Sequence, residues 1–271
     1  MTAAPAAAPP SVRLAAVADN LDELTARLES AHDSRCVFAH SYAIMTRRIE
    51  FAIDAGGAVD AEWVVSLAEV FAAHYFAAVE AYDRGKCESE AWMAVFDALT
   101  QRRTSVLEDL VFAMTAHIVH DLPLALGDVS PERGPQPSRV HDFHAVNDMM
   151  ASSIPAIQAA VAKRYGPYVR WLDRLGENYD EIVTNYGIRM ARGLAWYNAV
   201  RLHDPRSEAD TRAAIEHSPA VVVSNVLRPP IRSVRWLLRA SRLLVSVLRR
   251  WPNDPPKSAE AAAAIARAEA S

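Results

Sequence analysis

Apolar residues return every three to four positions along most of this 271-residue chain. That period belongs to the α-helix. The segment 34–55 shows it plainly, with Phe38, Tyr42, Met45, Ile49 and Ile53 on one stripe. No stretch of any length alternates apolar and polar residues as a half-buried strand would. Glycine occurs only nine times, while alanine and leucine are abundant, and both facts favour helix. The expected fold class is therefore all-α, a single helical bundle of about eight to ten helices with disordered Ala/Pro-rich termini.

Punctuation along the chain sets the expected boundaries. Residues 1–11 read as a disordered N-terminal tail, 12–251 as the helical domain, and 252–271 as a flexible C-terminal tail with too little apolar surface to dock. Gly56-Gly57 ends the second helix, and Asp60 and Ser89 are natural N-caps of the next two. Thr104 is expected to cap a helix whose course Pro123 should end or kink. A Pro/Gly-rich loop spans 127–138. Beyond it, a long helix is expected over 140–175, bent near Pro155 or Gly166, then another over 179–203, a short one capped by Ser207, and a last one over 231–251.

The formal net charge of −4 gives no basic excess to neutralise phosphates, so no nucleic-acid partner is expected. No glycine-rich phosphate loop occurs, so no nucleotide cofactor is expected either. Cys36 and Cys87 form no CxxC and suggest no disulfide framework. The N-terminus lacks a charged region followed by a long apolar one, and no apolar run reads as long enough to span a bilayer. A cytoplasmic protein is the default expectation.

Chemistry concentrates around the Pro-rich loop. In AHIVHDLPLAL, helical spacing puts His117, His120 and Asp121 on one face, continuing the apolar stripe of Leu107 and Met114. Histidine and aspartate facing a core are costly unless paired or ligating. A hydrogen-bonded pair that merely ties helices together satisfies the same pattern. After the loop, HDFHAVND supplies His141, Asp142, His144, Asn147 and Asp148, although Asp142 and Asp148 also suit a helix N-terminus. If the two segments meet, His117, His120, Asp121 and His144 are candidate ligands for a divalent metal such as Zn, Fe or Mn, with Asp142 as base. Without metal, His117 is the base and Asp121 or Asp142 orients it.

His40 and His74 fall on inner stripes, with Met114, Asn147 and Trp196 as further substrate-binding candidates. Arg192 can reach inward to a carboxylate or pack its stem on Trp196. HExxH, paired Glu-x-x-His and aspartate-rich cyclase motifs are absent. The order His74, His120-Asp121, Asp142 loosely mimics metal-dependent phosphohydrolases. On the last helix Arg232, Arg235, Arg239, Arg242, Arg249 and Arg250 form a basic stripe. It reads either as a bundle cap showing arginines to water or as a weak membrane-surface contact.

These residues together resemble a family. MTAHIVHDLPLAL, HDFHAVNDMM and ARGLAWYNAVRL, with FAHSYAIMTRRI and VFAAHYFAAVEAY upstream, are similar to an uncharacterised all-helical family common in actinobacteria and of unknown function. The resemblance covers about residues 31–202. It implies a His and an Asp where His117 and Asp121 stand, and an acidic-Val-Asn set where Asp142, Val146 and Asn147 stand. Thr115 and Val119 depart from it, since the pattern has asparagines there.

The resulting expectation is an enzyme acting on a hydrophobic small molecule through a His/Asp cluster, by a hydrolase, lyase or cyclase step in secondary metabolism. The rival is a non-catalytic small-molecule-binding or peripheral membrane scaffold. A homodimer is compatible with either.

Overall fold

The computed structural model of the chain describes residues 8–101, 104–130, 136, 139–166, 180–230, 233, 236, 242–243 and 248–269. Among them are ten α-helices, one π-helical turn and no strand. The helices are α1 (Pro10–Ser30), α2 (Cys36–Asp54), α3 (Ala61–Asp83), α4 (Glu90–Thr100), α5 (Val106–Ala116), α6 (Leu122–Asp128), α7 (Val140–Tyr165), α8 (Asp180–Leu202), α9 (Glu208–Leu227) and α10 (Ser258–Glu269). The π turn, His117–Asp121, joins α5 to α6 without a break. The expected all-α helical bundle is what the chain forms.

Local chemistry starts these helices. Asp60 accepts the Trp63 N–H at 3.0 Å and Ser89 accepts the Trp92 N–H at 3.3 Å, as expected of N-caps. At α5 the cap is Ser105 and not Thr104. Ser105 and Glu108 form a reciprocal capping box, with bonds of 3.2 and 2.7 Å. Ser207 occupies the N-cap of α9, but its hydroxyl donates back to the Arg201 carbonyl at 2.9 Å instead of capping the helix, which is 20 residues long rather than short.

Pro123 neither ends its helix nor breaks it. Proline lacks an N–H and crowds the carbonyl four residues back. The chain widens one turn immediately before it, where the Leu122 N–H reaches five residues back to the His117 carbonyl. Pro155 likewise sits inside α7, which stops at Tyr165.

The C-terminal segment corrects an expectation. Instead of trailing free, 258–269 forms α10 and packs on α2 and α7. Ala262, Ile265 and Ser258 are buried, and Ser258 Oγ donates to Asp22 Oδ2 at 2.5 Å. One small-residue face suffices because it needs only a shallow groove. The expected helix over 231–251 lies largely outside the described residues. Two arginines of its stripe turn inward rather than to water. Arg242 pairs with Glu108 at 2.5 Å, and Arg249 pairs with buried Asp109.

Two apolar clusters build the core. One centres on α1, α2, α4 and α5 (Leu21, Leu28, Ile44, Trp92, Phe96, Phe112), and the other joins α3, the π turn, α6, α7 and α8 (Trp63, Ile118, Leu122, Phe143, Ile188). Two helical stretches, Ala61–Asp83 and Val106–Asp128, are long and apolar enough to cross a membrane by length and composition, contrary to the sequence reading. The α5–α6 stretch reaches that length because the π turn carries the helix through Pro123.

Candidate functional site

A cavity of about 270 Å³ lies where the two clusters meet. α2, α3, α5 with the π turn, α6, α7 and α8 all contribute to its wall. The lining is mostly Ile, Leu, Met, Val and aromatic side chains. On α7 the contributors Phe143, Val146, Met150, Ile154 and Ile157 recur at helical spacing. Even the hydroxyls of Ser41 and Thr46 are taken up by their own helix, donating to the Val37 and Tyr42 carbonyls at 2.8 and 2.9 Å.

His117 forms part of this wall. Its Nδ1 lies 2.8 Å from Asp121 Oδ2, and its Nε2 is buried without a hydrogen-bond partner among the described residues. Aromatic rings hold the imidazole in place. Phe71 stacks on it with centroids 3.5 Å apart and planes within 9°, and Tyr42 meets it edge-on at 4.7 Å. Burial keeps His117 below the ordinary histidine range despite the pull of Asp121, so the ring is neutral. An ionised carboxylate can only accept. Nδ1 must therefore carry the proton, and Nε2 presents a bare lone pair.

Asp121 is held from three sides. Besides His117, it accepts Trp92 Nε1–H at 2.9 Å and His120 Nδ1–H at 2.7 Å. Burial would raise its pKa, but the two imidazole donors outweigh that and hold it below the usual value. His120 bridges onward, its Nε2 lying 2.9 Å from Glu216 Oε1, while Glu216 Oε2 accepts the Ser89 hydroxyl at 2.8 Å. Burial lowers the His120 pKa, and the two carboxylates more than reverse it, to about 9. His120 is thus a buried imidazolium between Asp121 and Glu216, and His117 is a neutral imidazole at the end of the chain. Glu216, in the polar run AAIEHSP of α9, carries no sequence signal that would have marked it.

Arg192 of α8 also lines the wall, and only 4% of it is exposed. The sequence suggested a carboxylate partner, and among the described residues none, Asp121 and Asp142 included, pairs with it. Its Nε donates to Asn147 Oδ1, and its guanidinium lies 4.5 Å from the Phe143 ring centre. Burial lowers its pKa to about 10, which leaves it charged near neutrality. Trp63 Nε1, also on the wall, has no hydrogen-bond partner among the described residues.

The other expected site residues divide. Met114 lines the cavity. Asn147 touches it through Arg192. Trp196 stands behind the wall, packed against Phe143 at 4.9 Å and Trp63 at 6.5 Å. Asp142 is not part of the site. Its carboxylate accepts the Val59 and Asp60 N–H groups at 2.9 and 2.7 Å, tying α7 to the α2–α3 connection. His74 pairs with Asp128 at 2.8 Å on a partly exposed edge, and His40 is buried against Tyr165, away from the lining. His141 is exposed.

Of the four candidate metal ligands, His117, His120 and Asp121 meet but bond to one another, and His144 lies apart from them. His144 is exposed on α7 beside Asn147. Both His120 nitrogens are occupied by carboxylates, and His117 turns one nitrogen to Asp121. Among the described residues no three His, Cys, Asp or Glu side chains are grouped to hold an ion. These donors do not fit a metal, and the loose phosphohydrolase order dissolves with them.

Fold and site together define an all-α protein with an apolar cavity walled by a buried His–Asp pair and a buried arginine. The chain belongs to the family described as a family of unknown function (DUF5995), whose profile matches residues 14–229. That match extends on both sides of the segment in which the resemblance was visible, and it ends before α10. No curated protein and no solved structure matches the chain.

Proposed function

We propose that this protein is an enzyme acting on a hydrophobic small molecule by metal-free acid–base chemistry. In this reading His117 Nε2 is the general base, Asp121 fixes its tautomer and orientation, and Arg192 stabilises negative charge as it develops on the substrate. The observation that carries it is the unpaired, buried Nε2 on the wall of an apolar cavity, with Nδ1 locked to a carboxylate. His120 satisfies both ring nitrogens, and His40, whose Nδ1 is also unpaired, lies away from the lining, so among these three histidines the bare nitrogen meets the cavity only at His117. Proton removal of this kind opens hydrolase, lyase and cyclase steps alike.

The test is conversion. Purified protein is incubated with the apolar metabolite fraction of a source cell, and consumed and formed species are followed by mass spectrometry. Wild-type protein should convert at least one species, and His117→Gln should slow it by about 10²–10⁴-fold. Equal turnover by His117→Gln would sink the proposal. Binding without conversion by the wild type would point instead to a carrier built on the same cavity.

A further inference from the structure

A buried cation in an apolar wall needs a counter-charge, because removing it from water is costly unless it is paired. Arg192 has none. Among the described residues no carboxylate lies within ion-pair distance of it, and its one hydrogen bond goes to the neutral Asn147. The Phe143 ring compensates only in part. Other arginines with well-covered side chains differ. Arg35 is held by Asp33 and Asp83, Arg164 by Glu29, Arg242 by Glu108 and Arg249 by Asp109. Each of these four cations meets a carboxylate, and Arg192 at the cavity meets none among the described residues. Trp63 Nε1–H adds a further donor, unpaired among the described residues, to the same wall, while most of the remaining lining is hydrocarbon and aromatic.

We propose that the cavity binds an amphipathic monoanion, a carboxylate on an apolar body, with the carboxylate paired to Arg192 and the body filling the apolar remainder. The ligand supplies the missing counter-charge. A guanidinium suits this because its planar fork matches a carboxylate in bidentate fashion. The inference rests on the same cavity as the function proposed above, but not on catalysis.

Decanoate, 1-decanol and decylammonium share one chain and differ in the head. Each is titrated calorimetrically into the full-length protein below its aggregation concentration. Decanoate should bind at least about ten-fold tighter than decanol, and decylammonium weakest. Arg192→Gln should erase the preference for the acid while keeping decanol binding. Arg192→Lys, which retains the charge, should keep most of it. Should Arg192→Gln fail to fold, the wild-type ranking and Arg192→Lys still decide. No binding by any of the three, equal binding of acid and alcohol by the wild type, or an undiminished preference in folded Arg192→Gln would overturn the proposal. The titrations read binding without turnover and the conversion assay reads turnover, so a failure of anion binding and a failure of conversion are separate results.

Discussion

His117 and His120 stand three residues apart on one turn and carry different charges. His117 has one carboxylate partner and a ring of aromatic neighbours, so burial dominates and it is neutral. His120 has two carboxylates, which raise its pKa to about 9 from an ordinary 6.5. A raised folded-state pKa means stability that is fully present below about pH 6.5 and lost as pH rises through 9. Wild-type protein should therefore lose ~2 kcal/mol of unfolding free energy between pH 6.5 and 9.5 that His120→Gln does not lose, measured by urea denaturation. Identical slopes for the two proteins would count against a charged His120. The opposite sign holds for His40, which burial lowers to about 3. Its stabilising neutrality is lost as pH falls below 6.5, because the unfolded chain then takes up the proton.

Helix geometry explains why the sequence half-located the site. On α7 the cavity-facing stripe runs through Phe143, Val146 and Met150. Asp142 and His144 flank Phe143, so each is turned about 100° from that stripe, one into the α2–α3 connection and the other to solvent. Spacing alone marked them as polar neighbours of a site segment and could not say which neighbour covers each face. In the α5–α6 segment the same logic succeeded, since His117 and Asp121 share a face with Met114 in any near-helical turn. Asp142 acts as a clamp on backbone donors. Asp142→Ala should cost about 2–3 kcal/mol by chemical denaturation, since it strips two N–H groups of a charged acceptor. The decanoate affinity should change by less than about two-fold, because the carboxylate is not on the wall. A large affinity loss with unchanged stability would restore Asp142 to the site.

The bundle closes with a helix that lies beyond the family match. α10 buries Ala262 and Ile265 against the body, and its first residue bonds to Asp22 of α1. A chain ending at Pro256 should be less stable by about 2–4 kcal/mol in urea unfolding, from the lost apolar burial and the Ser258 bond. Unchanged stability would show that this docking contributes nothing. Composition underestimated it because Ala-rich helices bury little area per residue yet approach their neighbours closely.

Helical class, the N-caps Asp60 and Ser89 and the pairing of His117 with Asp121 were written in local order, because each depends on residues within two turns of one another. Arg192 meeting Asn147, Glu216 completing the His120 relay, and six helices enclosing one hollow depend on contacts between distant segments. Those contacts follow from how whole faces pack, and no residue's near neighbours along the chain specify them.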